Sequence, residues 1–537
     1  MLFNSYSFLF SFLPVTLVIC FGLAKWRGAA AAQIWLIIAS LLFYASWNLR
    51  TLPLLLSSIG FNYLAARIML RAGETTRRHV LISAIIVDLA LLGYFKYTNF
   101  FIDTLNSASG ANIMVATILL PLGISFYTFQ QITLLVDISG GTVVDFRFRD
   151  FLLFVTFFPH LIAGPIVHHR EMIGQFTAAR YRYNAQNMAV GISLFAGGFF
   201  KKTIFADGIS LAIAPIFGLA AAGHPITFFY AWAASIGFTL QMYFDFSGYS
   251  EMALGLARMV GIILPTNFNS PLKARSVIEY WGRWHMTLTR FLTAYIYNPV
   301  AMMIARSRRR RGLKSTPGPR GTWSATLELV AVPTLITMFL SGLWHGAGWQ
   351  FILFGALHGT YLVINNLWRL YASALWPKIV RLAAPLNWPL TFICTSVALT
   401  YFHAQTVAEG SRIIAGMAGL NGISVPLSLA NLPTLHSTLR IFTIDTLPAP
   451  VLIDAILWTA ALLPIALFAP NLLQILRAFS PSQPLPAPME SDATWYARYA
   501  PKFAWAPTPV FALLAAIASV GGILTLGRAT AFLYWQF

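Results

Sequence analysis

The 537-residue chain is 58% hydrophobic and only 10% charged, with a mean hydropathy of +0.68, whereas a soluble domain carries about 25% charged residues. Water is therefore excluded as its main solvent, and so is a string of soluble domains, because apolar runs recur from Leu2 to Phe532. The formal charge of +19, from 36 Lys and Arg against 17 Asp and Glu, falls largely between those runs and marks loops at lipid headgroups, not nucleic acid.

A crossing needs roughly 20 mostly apolar residues to cover about 30 Å of hydrocarbon. Spans are predicted near 2–24, 31–49, 52–70, 80–98, 151–167, 186–206, 226–244, 326–340, 348–367, 389–403, 451–469 and 508–527. Broken or shallow segments fall near 115–137, 250–264 and 284–304. The fold class is an all-α integral membrane protein in one membrane domain, with eleven to fifteen embedded helices. The first segment lacks a basic start and a small-residue cleavage site, so it reads as a retained span. Residues 1–115 read as plain scaffold spans, 116–370 as a catalytic core, and 371–537 as C-terminal spans. Proline-rich extramembrane loops are expected at 421–450 and 480–509, where dispersed proline defeats helices. Lys25 and Arg27 follow the first span and Arg71, Arg77 and Arg78 the third, while 103–112 holds no Lys or Arg, which puts the amino terminus outside. Arg306, Arg308, Arg309, Arg310, Arg311 and Lys314 then read as a cytoplasmic anchor at the level of anionic membrane lipid. Cys20 and Cys394 lie inside apolar runs and form no disulfide framework.

The middle of the chain holds polar and glycine-rich clusters inside apolar sequence, which membrane depth tolerates only where backbone is buried in protein or lines a wet cavity. His345, in Ser341-Gly-Leu-Trp-His-Gly-Ala-Gly-Trp349, is the strongest candidate for chemistry. Its imidazole suits removal of a hydroxyl proton near neutral pH, and Gly342, Gly346 and Gly348 permit sharp turns or close approach; a structural histidine bonded to backbone is the alternative. His285 lies in Glu279-Tyr-Trp-Gly-Arg-Trp-His-Met-Thr-Leu-Thr-Arg-Phe-Leu292. Continuous helix there places Trp281, Trp284, His285, Leu288, Phe291 and Leu292 on one face, serving either a site or an aromatic interface belt. Asp245 and Glu251 are the carboxylates deepest in apolar sequence, and each needs a partner. Asp245 suits a histidine, Arg283, or a helix-packing ion pair. His358 and the His168-His169 pair lack ligand spacing, so no metal site is read. No G-x-S-x-G elbow or P-loop occurs, which argues against a serine hydrolase or an ATP-driven machine.

These clusters resemble the membrane-bound O-acyltransferase family, and within it the bacterial alginate O-acetylase branch. The resemblance runs through Phe3-Asn-Ser, Gly123-Ile-Ser-Phe-Tyr-Thr-Phe-Gln130, Phe158-Pro-His-Leu-Ile-Ala-Gly-Pro-Ile166, Phe200-Lys-Lys202 and Tyr243-Phe-Asp-Phe-Ser-Gly-Tyr-Ser250. It continues through Asn267-Phe-Asn269, Arg283-Trp-His285, Gly342-Leu-Trp-His-Gly-Ala347 and Gly355-Ala-Leu-His-Gly359. It implies a ring of helices around a thin core with re-entrant or horizontal segments, and funnels from both faces meeting near a catalytic histidine. By resemblance that histidine is His345, with His285 second, and Trp344, Asp245, Tyr243, Ser247 and Gln241 contact substrate. No cofactor is bound; acetyl-CoA is the implied donor.

The implied activity is transfer of acetyl, or another short acyl group, to hydroxyls of an exported polysaccharide at a bacterial inner membrane. A periplasmic acetyltransferase and a polysaccharide export complex are the implied partners. D-alanyl transfer to teichoic acid with an acyl carrier protein is the alternative within the family. A transporter or a structural export subunit is the alternative outside it, although no internal repeat is evident. The chain departs from the branch after His285, where Thr293-Ala-Tyr-Ile-Tyr-Asn-Pro-Val-Ala-Met-Met-Ile304 replaces Arg-Asp-Tyr-Leu-Tyr-Ile-Pro-Leu-Gly-Gly-Asn-Arg. Gly282 also replaces a usual Arg, and Glu251 a common Asp.

Overall fold

The computed structural model describes residues 1–176, 181–426, 443–445, 449–484 and 504–528. Within these the chain is mainly helical, and eight helices are long and apolar enough to cross a membrane. They are Phe8–Trp26, Leu49–Arg71, Glu74–Ser109, Ala185–Ala221, Trp323–His345, Trp349–Leu375, Pro377–His403 and Pro450–Phe468. Ala29–Ala45 and Pro509–Thr525 are apolar helices of 17 residues each. A 32-residue helix, Phe228–Met259, carries Gln241, Asp245 and Glu251 in its buried middle. The all-α membrane fold follows from the long apolar runs, since only internally bonded backbone is stable in hydrocarbon.

The polarity of these helices is inverted relative to water-soluble protein. On Ala29–Ala45, Ile34, Ile38 and Leu42 recur one turn apart on the exposed side, while Gln33 and Ser40 are buried. Gln33 donates to the Phe176 carbonyl at 3.1 Å, and the Ser40 hydroxyl accepts from the Phe158 amide at 3.1 Å. Apolar residues outward and hydrogen-bonded polar residues inward is the arrangement lipid favours.

By its packing the chain divides into two compact units. One comprises Met1–Phe200, Ser247–Thr266 and Leu472–Gln536, the other Lys201–Phe246 and Asn267–Asn471. In the first, the segment predicted to cross at 151–167 is broken. Helix Phe148–Thr156 ends at Phe157, and a four-residue turn of helix, Phe158–Leu161, carries Pro159. The chain then folds so closely that a side chain at Gly164 would collide with the His160 backbone. The early spans are also less plain than their hydropathy suggests. Buried Asp88 accepts from the Asn62 amide at 2.9 Å, and Gln131 donates to the Ser58 hydroxyl at 3.1 Å, which ties Leu52–Arg71 to Glu74–Ser109 and to Ile124–Ser139.

In the second unit, Val332–His345 and Trp349–Leu367 form a tight antiparallel hairpin, and Asn387–His403 packs on the latter. The arginine run ends helix Asn298–Arg310. Arg308 turns inward from that run, pairing with Glu328 at 2.7 Å and donating to the Lys314 carbonyl at 2.6 Å. Most of the predicted loops at 421–450 and 480–509 lies outside the described residues. Their described parts include two three-residue strands, Ser424–Pro426 and Thr443–Asp445, paired in parallel.

Candidate active site

His345 is the last residue of the Val332–His345 helix and is buried. Its position follows from close contact between two helix backbones. A side chain at Gly342 would collide with the Phe351 carbonyl oxygen and stand 3.0 Å from the Gly355 Cα, so the hairpin closes only with glycine at both positions. Gly346 and Gly348 adopt extended backbone open to any residue, and their constraint is space. A side chain at Gly346 would enter the Phe351 ring. The hairpin thereby sets the His345 ring between Trp344, Phe354 and Phe402, with centroids 4.8, 5.6 and 5.2 Å away. Gly342→Ala is expected to lower stability by about 1–3 kcal/mol through overpacking, read as a lower melting temperature in detergent, and to reduce activity because His345 lies one turn away.

The predicted continuous helix around His285 is absent. Val277–Arg283 and Met286–Leu292 are separate short helices, and His285 between them adopts a left-handed backbone with φ 40° and ψ 50°. A non-glycine residue in that region is strained unless its surroundings hold it there. They do, through the Asn267–Asn269 segment, which runs across the break. The Asn269 amide donates to the Arg283 carbonyl at 2.9 Å, and the Met286 amide donates to the Asn267 carbonyl at 2.9 Å. The Thr287 amide and hydroxyl donate to Asn267 Oδ1 at 3.4 and 2.9 Å. These bonds satisfy the Arg283 carbonyl and the Met286 and Thr287 amides, groups of the kind that helix ends leave open. Sequence reasoning assumed helical periodicity through residue 285 and so missed the break; the Asn-Phe-Asn motif 18 residues earlier was its signal.

His285 is fully buried beside Phe246 at 4.8 Å and lies 6.0 Å from Trp344. The Trp344 indole thus stands between the two predicted histidines, in ring contact with both. Phe246 extends the cluster to the Phe228–Met259 helix, where Gln241, Tyr243 and Asp245 are also buried. Asp245 pairs with Lys202, 2.8 Å away, and Lys202 also binds Asp207 at 2.6 Å. Lys202 lies on a π-helical turn, Lys201–Ala206, a wider coil that recurs at functional sites. Arg283, weighed as a partner for Asp245, is held by Glu279 at 2.8 Å and by the Asn269 carbonyl at 3.2 Å. Ser247, buried one turn beyond Tyr243 on the same helix, falls in the first unit. A third histidine joins the wall: His358 Nδ1 accepts from Trp281 Nε1 at 3.2 Å, and its ring lies 4.7 Å from Phe354. Among the described residues no group of three or more His, Cys, Asp or Glu side chains could hold a metal.

Two buried imidazoles flanking one indole can accept or donate protons at depth, where protein surroundings replace water. The sequence profile of the membrane-bound O-acyltransferase family matches residues 141–316. The peptidoglycan O-acetyltransferase of Helicobacter pylori is 38% identical over 454 residues, which cover 79% of this chain and 81% of that protein. The chain belongs to the membrane-bound O-acyltransferase family. It is accordingly an acyltransferase enzyme and a multi-pass membrane protein. The probable alginate O-acetylase AlgI of Azotobacter vinelandii is 38% identical over 424 residues, covering 78% of each chain. The teichoic acid D-alanyltransferase of Streptococcus thermophilus is more distant, 27% identical over 249 residues and 46% of this chain. Within this membrane-bound O-acyltransferase, both histidines and Asp245 lie in the second unit.

Proposed function

We propose that the enzyme transfers an acetyl or other short acyl group to a hydroxyl of an exported polysaccharide or cell-wall glycan. It does so in a bacterial cytoplasmic membrane, with its amino terminus outside. The observation that carries this reading is the pair of buried histidines sharing Trp344 in a chain whose long relatives are named O-acetyltransferase and O-acetylase. His345 accepts the proton of the acceptor hydroxyl as its oxygen attacks the donor carbonyl. The C–O ester bond forms, the bond to the leaving group breaks, and with acetyl-CoA as donor a thiol is released. His285 places the acceptor or polarises the carbonyl, and Trp344 and Tyr243 wall the path. Donor enters from the cytoplasm, and acceptor, or a periplasmic acetyltransferase that relays the group, from outside.

The test is the ester content of cell-envelope glycans and exported polymer in a deletion strain complemented with wild type, His345→Ala or His285→Ala. Wild type restores O-acetyl esters and each variant does not, although both insert into the membrane. Full acetylation by both variants overturns the assignment and leaves a structural export subunit. Loss of D-alanyl esters in place of acetyl esters moves the acceptor to teichoic acid and the donor to a carrier protein.

A further inference from the structure

The bonds around His285 decide which of its ring nitrogens can meet a substrate. Asn267 Oδ1 receives the Thr287 amide hydrogen at 3.4 Å, and a backbone amide can only donate. The atom facing that amide is therefore the side-chain oxygen of Asn267, although oxygen and nitrogen of an amide are otherwise interchangeable. The same oxygen lies 2.9 Å from the Thr287 hydroxyl and 3.0 Å from His285 Nδ1. An oxygen acceptor at 3.0 Å requires a hydrogen on Nδ1, and in a neutral ring that leaves the lone pair on Nε2.

We propose that Asn267 is a positioning residue that fixes the tautomer of His285, so that Nε2 presents a lone pair and binds the acceptor hydroxyl. This rests on the functional reading above and chooses between the two roles offered there for His285. A neutral ring whose only hydrogen is committed to Asn267 has none left to polarise a carbonyl, but it can take a hydrogen bond from an alcohol. The strained backbone at residue 285 fits the same purpose. The bonds from Met286 and Thr287 to Asn267 hold the turn, and the bond from Nδ1 to the same residue holds the ring, so one asparagine sets both. Groups on neighbouring elements bear on His285. Phe246 and Phe268 flank its ring; His345 stands beyond Trp344; and Arg283, paired with Glu279, precedes it by two residues. Asp245 is adjacent to Phe246 in sequence and is held by Lys202.

The experiment compares Asn267→Leu, Asn267→Asp and Thr287→Val with His285→Ala and His345→Ala. Membrane vesicles receive radiolabelled acetyl-CoA, and label in glycan ester is followed against pH. Asn267→Leu is expected to lose about 100-fold or more in rate, the scale of a histidine released into its wrong tautomer. Thr287→Val, which keeps Asn267, loses less than about tenfold. Asn267→Asp preserves an oxygen acceptor for the Nδ1 hydrogen. It retains activity, because Nε2 keeps its lone pair. Asn267→Leu within threefold of wild type overturns the proposal. So does Asn267→Asp as inactive as Asn267→Leu, or with activity that is lost in alkali, the mark of a protonated, donating ring. Activity in His285→Ala and His345→Ala would defeat the functional reading itself. Inactive histidine variants beside unaffected Asn267 variants would defeat the tautomer alone. If wild type transfers no label, acetyl-CoA is the wrong donor, and the ester content of whole cells carrying the same variants reads the tautomer without it.

Discussion

His345→Ala is expected to slow acyl transfer by about 10²–10⁴-fold, the contribution of a positioned proton acceptor, while insertion and folding are retained. His345→Gln separates the base from its packing. Glutamine fills the space between Phe354 and Phe402 and forms hydrogen bonds, but it does not take a proton at neutral pH. Both variants should be inactive if residue 345 is the base. Recovery with glutamine would mark His345 as a structural residue, the alternative the sequence leaves open. The rate should also fall in acid, because only the neutral ring accepts a proton. The sign follows from the role: a base is lost in acid, an acid in alkali. A wild-type rate flat from acid to neutral pH would overturn the assignment.

How much of this was legible beforehand depended on whether the signal was local. Spans such as Leu52–Arg71 and Asn387–His403 follow from runs of apolar residues, because the bilayer fixes both length and composition. His345 was legible because it stands beside three glycines in apolar sequence, although those glycines act through close approach instead of sharp turns. The break at His285 was not. It depends on Asn267 and Asn269, distant in sequence, supplying the bonds that a continuous helix would have made for itself. The same holds for Asp245. Its need for a partner follows from the cost of buried charge, but the choice of Lys202, forty-three residues earlier, depends on where a π-helical turn aims that side chain. The early spans hide Asp88 and Asn62 for a related reason, since a hydropathy average over a helix hides two polar groups that bond each other.

Lys202→Met should be the most destabilising substitution near the site. Lys202, Asp207 and Asp245 have almost completely buried side chains, at 2%, 4% and 1% exposure, and the Lys202 ammonium binds both carboxylates. Removing it takes away a cation that both buried carboxylates bind. Breaking a buried pair from one side costs about 3–5 kcal/mol, a large fraction of the stability of a typical domain. The expected result is a steep loss of folded protein extracted in detergent and a lower melting temperature for what remains. The triple variant Lys202→Met, Asp207→Asn, Asp245→Asn removes the charges together and should recover much of that loss, because a neutral set carries no uncompensated charge. Its activity then reports on geometry. Asp245 precedes Phe246, whose ring meets His285 edge-on at 4.8 Å, so a correctly packed neutral core should keep that contact. A triple variant that folds but transfers no acyl group would give the charges themselves a part in the reaction. A Lys202→Met variant as stable as wild type would mean that the two carboxylates do not depend on the ammonium between them.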